Sequence, residues 1–323
     1  MNKYLVRKKY FSKKNYERIS QLFCLGKMQA IRKLPMGFEA NKVTIVAASG
    51  KYVVSAYPIS KKKSLITKSR ESLRYEINLI KKLKALPIPD YVASRNKNFI
   101  EIFSKHYVTV YRFLRGEHPQ SINSLKAKNL GEFLGRFHAQ SSKLKINSTK
   151  RRKFYLLTPK VKKEMDPFVR QQKNSEVKSF YTEVRKGIDK FSLPRKLPQG
   201  HIHVDIKPDN ELFIGDRLTG ILDFGISYPG PFILDIARAI IINCNKKGRL
   251  NQNLYNSFLR GYSKYRKLTQ AERKWLKHSL IFITYAMIYV DMYHVPFGRV
   301  HPDFPMHWIK KYLPGVRELQ KKL

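Results

Sequence analysis

The stretch from His201 to Gly225, which reads HIHVDIKPDNELFIGDRLTGILDFG, decides the fold of this chain. Apolar residues at both ends and in the middle of the stretch indicate three short strands. The pattern is therefore strand, loop, strand, turn, strand. Two of its polar residues, Asp205 and Asn210, fall in the first loop, and a third, Asp223, follows the last strand.

The three polar residues are of the types that phosphoryl transfer needs. A carboxylate beside the attacking hydroxyl can accept its proton, and oxygen ligands can hold the magnesium that neutralises a triphosphate. The order H-x-D-x(4)-N followed by D-F-G is the catalytic-loop pattern of kinases. Each residue alone could be an ordinary turn residue. Their joint occurrence on strands and loops favours a kinase, with Asp205 as base and Asn210 and Asp223 as metal ligands.

The rest of the chain divides into a β-rich and a mainly helical part. Residues 42–47 and 51–57 are rich in β-branched and aromatic residues and predict a hairpin, and residues 100–103 and 107–113 predict two more strands. Between them, the apolar spacing over residues 70–86 predicts a helix. From Leu125 onward most of the pattern is helical. These features predict an α+β, bilobal, protein-kinase-like fold.

The predicted lobes are a small N-terminal nucleotide-binding lobe, residues 1–113, and a larger C-terminal catalytic and substrate-binding lobe, residues 114–323. Residues 113–117 are a candidate hinge between them. A length of 323 residues with 42% hydrophobic content is sufficient for such an enzyme. The apolar stretch 279–290 is shorter than the ~20 residues that span a bilayer, so it predicts a buried helix. No signal-peptide pattern follows the basic N-terminus, which favours a cytoplasmic protein without a membrane partner.

The charge balance is strongly basic, because 65 Lys and Arg against 23 Asp and Glu give a net charge of +42. Such a field attracts polyanions at low salt, so a nucleic-acid partner is possible. The basic residues occur in short runs along the whole chain and form neither a tail nor a stripe. A nucleic acid is therefore not expected to be the primary partner.

Several motifs carry a family resemblance. The chain from about Gly37 to Asp291 resembles the aminoglycoside phosphotransferase and choline kinase superfamily, and within it the homoserine-kinase-like branch. The matching stretches are LPQGHIHVD from Leu197, LFIGDRLTGILDF from Leu212, LDIA from Leu234, LGEFLGRFH from Leu130 and FLRGY from Phe258.

The resemblance implies an enzyme that uses ATP and Mg²⁺ to phosphorylate a hydroxyl of a small metabolite. It implies that Asp205 is the catalytic base and that Asn210 and Asp223 bind magnesium. Asp235 matches an aspartate that braces the catalytic loop, although a carboxylate favoured by the helix dipole is an alternative. Gly37 and Asn41 fall where the family has a loop that covers the phosphates of the nucleotide.

The chain departs from the kinase pattern on its third strand. Protein kinases have a lysine there that pairs with the phosphates, whereas this chain has Ser55. Glu76 matches the helix glutamate that normally binds this lysine, so it is a candidate nucleotide-binding residue. A surface glutamate paired with Lys81 or Lys82 is an equally plausible interpretation.

At two places the chain departs from the pattern of the homoserine-kinase-like branch. Gly225 replaces a tyrosine that usually follows Asp-Phe, and the apolar residues 281–287 replace an arginine-rich segment of a late helix. Homoserine is still the leading single acceptor, with another amino alcohol, a sugar or an aminoglycoside as the alternative.

Two other functions compete with a small-molecule kinase. The Lys207-Pro208 pair resembles the loop of Ser/Thr protein kinases, but the chain has no G-x-G-x-x-G-x-V, V-A-I-K or A-P-E motif. Too few residues separate Gly225 from Leu234 to form an activation loop. A basic nucleic-acid-binding pseudokinase would suit the charge and Ser55. The intact Asp205, Asn210 and Asp223 argue against it.

Overall fold

The predicted hairpin over residues 42–57 lies within a larger antiparallel sheet in the computed structural model, which describes residues 10–34, 40–59, 68–147, 153, 155–298 and 300–321. The chain packs into two units. The first is Met1–Gly116 with Thr219–Gly225, and the second is Glu117–Leu218 with Ile226–Leu323. The sequence predicted a division between residues 113 and 114. The structure also assigns Thr219–Gly225, which carries Asp223, to the first unit.

The first unit is built on a six-stranded sheet with the order β1-β2-β3-β6-β4, in which β5 also pairs with β6. Its elements are α1 (Lys13–Leu22), β1 (Met28–Leu34), β2 (Asn41–Ala47), β3 (Gly50–Pro58), α2 (Arg70–Lys82), β4 (Tyr91–Val92), β5 (Glu101–Phe103) and β6 (His106–Arg112). The β-branched residues of β2 and β3 favour this pleated, buried sheet.

The two faces of this sheet differ in character. Val43, Val54 and Val110 are opposite one another on neighbouring strands and pack with Tyr16 and Ile19 of α1 in an apolar core. Because side chains alternate along a strand, the next residue on each strand points to the other face. That face carries polar groups.

Helix α2 is shorter than predicted. It begins after Ser69, whose hydroxyl caps the backbone N–H of Ser72 at 3.1 Å, and it ends at Lys82 where the sequence predicted residue 86. Leu83 is extended, with φ −86° and ψ 136°, and Ala85 has a φ of 55°. The chain therefore turns before it reaches Pro87, which was expected to end the helix.

The second unit is mainly helical. Its helices are α3 (Ser124–Ser141), α4 (Pro159–Val169), α5 (Ser175–Ser179), α6 (Tyr181–Lys190), α7 (Phe232–Asn243), α8 (Gln252–Ser263), α9 (Gln270–His294) and α10 (Phe304–Gln320). Its short strands are β7 (Gln199–Ile202), β8 (Glu211–Ile214), β10 (Tyr228–Pro231), β11 (Asn245–Lys246) and β12 (Arg249–Leu250). Strand β9 (Arg217–Ile221) begins in the second unit and ends in the first. Strand β10 pairs with β7 and runs directly into α7, so the described residues between Gly225 and Phe232 form no activation loop, as predicted.

Helices α3 and α8 pack unusually close because glycines form their contact. A Cβ on Gly131 would lie 2.0 Å from the carbonyl oxygen of Phe258, and a Cβ on Gly261 would lie 2.1 Å from that of Lys128. Two of the family-like sequence motifs therefore meet here. This close packing brings the C-terminal turn of α3, which carries His138, to α8.

Helix α9 forms part of the core of the second unit. The stretch Gln270–Phe297 has the length and apolar composition of a membrane-crossing helix, but 78% of its most apolar window is buried inside the fold. All residues from Ser279 to Val290 are buried, as the sequence predicted. A buried helix of a folded domain has this composition because it is surrounded by apolar neighbours.

Candidate active site

The backbone of the loop that presents Asp205 is held in a strained conformation. Val204 has a φ of 57°, which a β-branched residue rarely adopts. Such strain persists only where the surrounding contacts enforce it. Here the backbone N–H of His203 lies 2.7 Å from Asp235 Oδ2, and the backbone N–H of Val204 lies 2.8 Å from Asp235 Oδ1. Asp235 therefore braces the loop.

Asp235 is itself fixed by a buried histidine. It lies in the first turn of α7, and its Oδ2 is 3.1 Å from His138 Nε2, while His138 Nδ1 is 2.9 Å from the hydroxyl of Tyr262. Burial lowers the pKa of His138, which favours a neutral ring that donates from Nε2 and accepts at Nδ1. Burial acts to raise the pKa of Asp235, but hydrogen bonds from His138 and from the loop backbone outweigh it, so the pKa is lowered. The brace is thus a carboxylate.

Both oxygens of the Asp205 carboxylate are held by neighbours in the second unit. Arg238 Nη2 lies 3.0 Å from Oδ1, while Lys207 Nζ at 3.0 Å and Asn210 Nδ2 at 2.9 Å reach Oδ2. Arg238 also donates from Nε to the carbonyl oxygen of Val204 at 2.6 Å. The Asp205 side chain is 13% exposed. Its orientation is therefore fixed, while a small part of the side chain remains exposed.

Asn210 is oriented by the same loop. Its amide nitrogen donates to the backbone oxygen of Asp205 at 2.8 Å and to the Asp205 carboxylate. Because the amide nitrogen makes these hydrogen bonds, the amide oxygen is the atom of the Asn210 side chain that can bind a metal ion. The structure thus brings Asp205 and Asn210 together, as the sequence predicted.

Asp223 lies in the first unit, directly after β9. Its φ is 62°, a left-handed conformation that aspartate tolerates better than most residues. Its Oδ1 accepts the backbone N–H of Gly225 at 3.2 Å and lies 3.6 Å from Lys68 Nζ. The side chain is 37% exposed. A carboxylate in this position can also serve as an oxygen ligand for a hard cation.

Glu76 is buried and pairs with Lys68. Lys68 Nζ lies 3.0 Å from Glu76 Oε2, and the hydroxyl of Tyr91 lies 3.1 Å from Glu76 Oε1. The alternative interpretation, a surface glutamate paired with Lys81 or Lys82, is wrong. Glu76 is only 3% exposed. Lys68 thus connects two of the predicted site residues, Glu76 and Asp223.

A second lysine, Lys42, interacts electrostatically with Asp223. Lys42 on β2 is opposite Ser55 on β3. Burial acts to lower the pKa of Lys42, but the phenol groups of Tyr111 and Tyr57 and the carboxylate of Asp223 outweigh it, so the pKa is raised. Lys42 is therefore a cation at neutral pH.

The structure does not test the nucleotide-binding role predicted for Gly37 and Asn41. Gly37 lies outside the described residues. Asn41 begins β2 opposite Ala56, which belongs to the apolar face of the sheet that packs on α1. The proposed role of both residues in covering the phosphates stays a prediction.

The sequence did not reveal three residues that shape these sites. Arg238 follows Asp235 by one turn of α7, a spacing that places both on one helix face, and this could have identified it. His138 ends one of the family-like motifs. Lys68 directly precedes the capping residue Ser69, and nothing in its local sequence distinguishes it from other lysines.

The donor set suits magnesium but no softer metal. Within the described residues no group of three or more His, Cys, Asp or Glu side chains could hold a metal ion. Magnesium needs no such group, because it is usually bound by one or two oxygen ligands together with water and substrate phosphates. The amide oxygen of Asn210 and the carboxylate of Asp223 are ligands of this kind.

Comparison with protein families gives a match over most of the chain. The model of a family described as the phosphotransferase enzyme family matches residues 30–273. Among curated proteins, the homoserine kinase of Granulibacter bethesdensis is 26% identical over 257 residues, which cover 77% of this chain and 76% of that protein. The homoserine kinase of Rhodopseudomonas palustris is 24% identical over 299 residues, which cover 89% and 87%.

Solved structures share the fold. An amicoumacin kinase bound to AMP-PNP and Ca²⁺ has a TM-score of 0.68 at 15% identity, covering 97% of this chain and 94% of that one. A microcompartment-associated aminopropanol kinase has a TM-score of 0.68 at 12% identity, covering 94% and 96%. These likenesses confirm the predicted kinase-like fold class.

Proposed function

This chain belongs to the phosphotransferase enzyme family and is a small-molecule kinase, and we propose that it transfers the γ-phosphoryl group of ATP to the hydroxyl of homoserine. The observation that carries this proposal is the arrangement around Asp205. Its carboxylate is oriented by Arg238, Lys207 and Asn210 on a braced loop. Such a fixed carboxylate suits a base that must meet one hydroxyl in one geometry.

In the proposed step, the acceptor hydroxyl gives its proton to Asp205 while its oxygen bonds to the γ-phosphorus. The bond between the γ-phosphorus and the bridging oxygen breaks, and ADP leaves with that electron pair. Lys207 adds positive charge beside Asp205, because the carboxylate outweighs burial and raises the pKa of the lysine. Fixed charges of this kind stabilise the transferring phosphoryl group.

Magnesium would be held by Asn210 and Asp223, which offer an amide and a carboxylate oxygen. When bound, this ion would neutralise the charge of the triphosphate. The chain's own contribution is to orient these two oxygens. The backbone N–H of Gly225 fixes one Asp223 oxygen, and Asp205 fixes the amide nitrogen of Asn210.

The homoserine assignment draws support from the relatives and from one further carboxylate. Several curated relatives are homoserine kinases at 24–26% identity. Homoserine carries an ammonium group, a carboxylate and a hydroxyl. Asp291 on α9 lies within electrostatic range of Arg238, Lys207 and Asp205. We assign it to the ammonium group of the acceptor.

The decisive experiment is a substrate test. Purified protein with ATP, Mg²⁺ and homoserine should form O-phosphohomoserine at a rate at least about ten times that of ATP hydrolysis alone, since productive positioning favours the acceptor over water. If the protein phosphorylates another amino alcohol with ATP but not homoserine, the kinase proposal stands and the homoserine assignment is wrong. Efficient phosphorylation of casein, with no small acceptor active, would overturn the small-molecule proposal.

The Asp291→Asn variant should show a selective loss of acceptor binding. We expect KM for homoserine to rise about 10- to 100-fold with kcat within a few-fold of the parent, because a hydrogen bond between charged groups is lost. Reaction with an acceptor that has the hydroxyl but no amine should change little, which provides the control. Equal losses for both acceptors would contradict the assignment.

The same residue predicts a pH dependence. Burial is the largest cause that raises the pKa of Asp291 to about 6, and Arg238 acts in the opposite direction. Above that pH the side chain is a carboxylate and can bind an ammonium group, and below it the side chain is neutral. KM for homoserine should therefore rise as the pH falls through about 6, and the Asp291→Asn variant should lack this dependence.

A further inference from the structure

The polar face of the sheet in the first unit lacks the lysine that protein kinases place on the third strand. Ser55 occupies that position, 0% exposed, and is opposite Lys42 on β2 and Thr109 on β6. Directly opposite residues share a face, so these three side chains lie side by side. Within the described residues, the buried hydroxyls of Ser55 and Thr109 have no hydrogen-bond partner. Buried hydroxyls of this kind call for a partner.

Lys68 brings a cation to this region from outside the sheet. It precedes α2, and its side chain is only 6% exposed. Glu76 holds its ammonium group at 3.0 Å, and Asp223 lies 3.6 Å from it. The ammonium also lies 5.0 Å from the centre of the Tyr57 ring, and Tyr57 follows Ser55 by two on the same face of β3. The lysine is thus fixed beside the polar face.

Gly225 leaves room for this arrangement. A Cβ on Gly225 would lie 2.4 Å from Lys68 Nζ and 2.9 Å from Asp223 Oδ1. Any larger residue would have to displace the ammonium from its place beside Asp223. The absence of a side chain at Gly225 therefore lets the Lys68 ammonium group lie beside Asp223.

We propose that Lys68, supplied by the segment before α2, is the cation that binds the phosphates of the nucleotide in place of a third-strand lysine, with Lys42 as a second cation beside it. This inference rests on the proposed kinase function. Glu76 would then keep its role as the glutamate that orients the lysine, although the lysine comes from a different part of the chain. A lysine binds phosphate as a point charge, so the position of its ammonium group matters more than the position of its backbone.

The test compares ATP with adenosine, because only ATP has phosphates for a lysine to bind. Dissociation constants for both would be measured by calorimetry at 0.15 M salt, where screening limits non-specific attraction to this basic chain. Lys68→Met should weaken ATP binding about 10- to 100-fold, the range for a hydrogen bond to a charged group, and leave adenosine within about threefold. Lys42→Met should give a smaller loss in the same direction.

Two further variants separate this role from general effects. Lys68→Arg keeps the charge and should recover most of the ATP affinity. Lys51→Met on β3 removes one exposed lysine whose ammonium packs over Phe113, and it should leave both ligands within about twofold of the parent.

Lys68→Met leaves Glu76 buried without its cation and could unfold the first unit. The double variant Lys68→Met with Glu76→Gln removes that unpaired charge and should still bind ATP more weakly than the parent while binding adenosine normally. Equal weakening of ATP and adenosine would show that Lys68 is only a counter-ion of Glu76. If the parent phosphorylates homoserine and Lys68→Met binds ATP normally, the lysine assignment fails alone. If the parent protein binds no ATP, both the proposed kinase function and the lysine assignment are wrong.

Discussion

Replacing Asp205 by Asn should lower kcat by about two to four orders of magnitude, the usual contribution of a general base, while the affinity for ATP stays near that of the parent. The amide has almost the same shape as the carboxylate, so the strained backbone at Val204 and the brace from Asp235 remain. What is lost is the acceptor for the proton of the attacking hydroxyl. Steady-state rates with saturating ATP and homoserine, together with calorimetric ATP binding, measure both quantities.

The same loop offers a matched control for this variant. Asp209 is exposed and lies between Lys207 and Asn210, so Asp209→Asn makes the same chemical change four residues away. Its kcat should stay within about twofold of the parent, as for most surface substitutions. Near-normal turnover in the Asp205→Asn variant would show that Asp205 is not the general base. Equal losses in the two variants would point to the net charge of the loop.

The sequence predicted the elements whose patterns are strongly periodic or apolar. The hairpin over residues 42–57 and the buried middle of α9 were predicted because β-branched runs and continuous apolar stretches bury their side chains in most contexts. Helix α1 was not predicted. Its buried residues are Tyr16, Ile19 and Ser20, so its apolar stripe is narrow and lies among basic and polar side chains.

The candidate site was predictable only where it is local in sequence. Asp205 and Asn210 fall in one loop, and their spacing was sufficient to predict that the two side chains lie together. The brace on this loop joins Asp235 to His138, which are 97 residues apart, so only the packing of α3 against its neighbours brings them together. Sequence motifs record such contacts as separate stretches and do not say which side chains meet.

The partner of Glu76 was misjudged for a related reason. Lys81 and Lys82 follow Glu76 by five and six residues, whereas neighbouring side chains on a helix face are three or four residues apart. The burial of Glu76 rules out this surface pairing, and burial is a property of the fold. Lys81 instead places its ammonium 3.7 Å from the centre of the Phe99 ring. Lys68 then supplies the charge that a buried carboxylate requires.

Asp223→Ala should abolish the dependence of ATP binding on magnesium and lower kcat by at least about a thousandfold, because the positive charge that stabilises the transferring phosphoryl group is lost. Absolute ATP affinity is a poor measure of this effect. Lys68 lies 3.6 Å from Asp223, so removing the carboxylate leaves more of the lysine's charge for the phosphates. Metal-free ATP binding should therefore be unchanged or tighter in the variant.

The informative quantity is the ratio of ATP dissociation constants with EDTA and with Mg²⁺. It should exceed one in the parent and be close to one in Asp223→Ala. Asp223→Asn separates charge from backbone conformation, since asparagine tolerates the φ of 62° better than alanine does. Asp90→Ala removes an exposed carboxylate of the same unit and should keep the parent ratio. A parent whose ATP binding and turnover do not change with magnesium would show that the metal assignment of Asp223 and Asn210 is wrong.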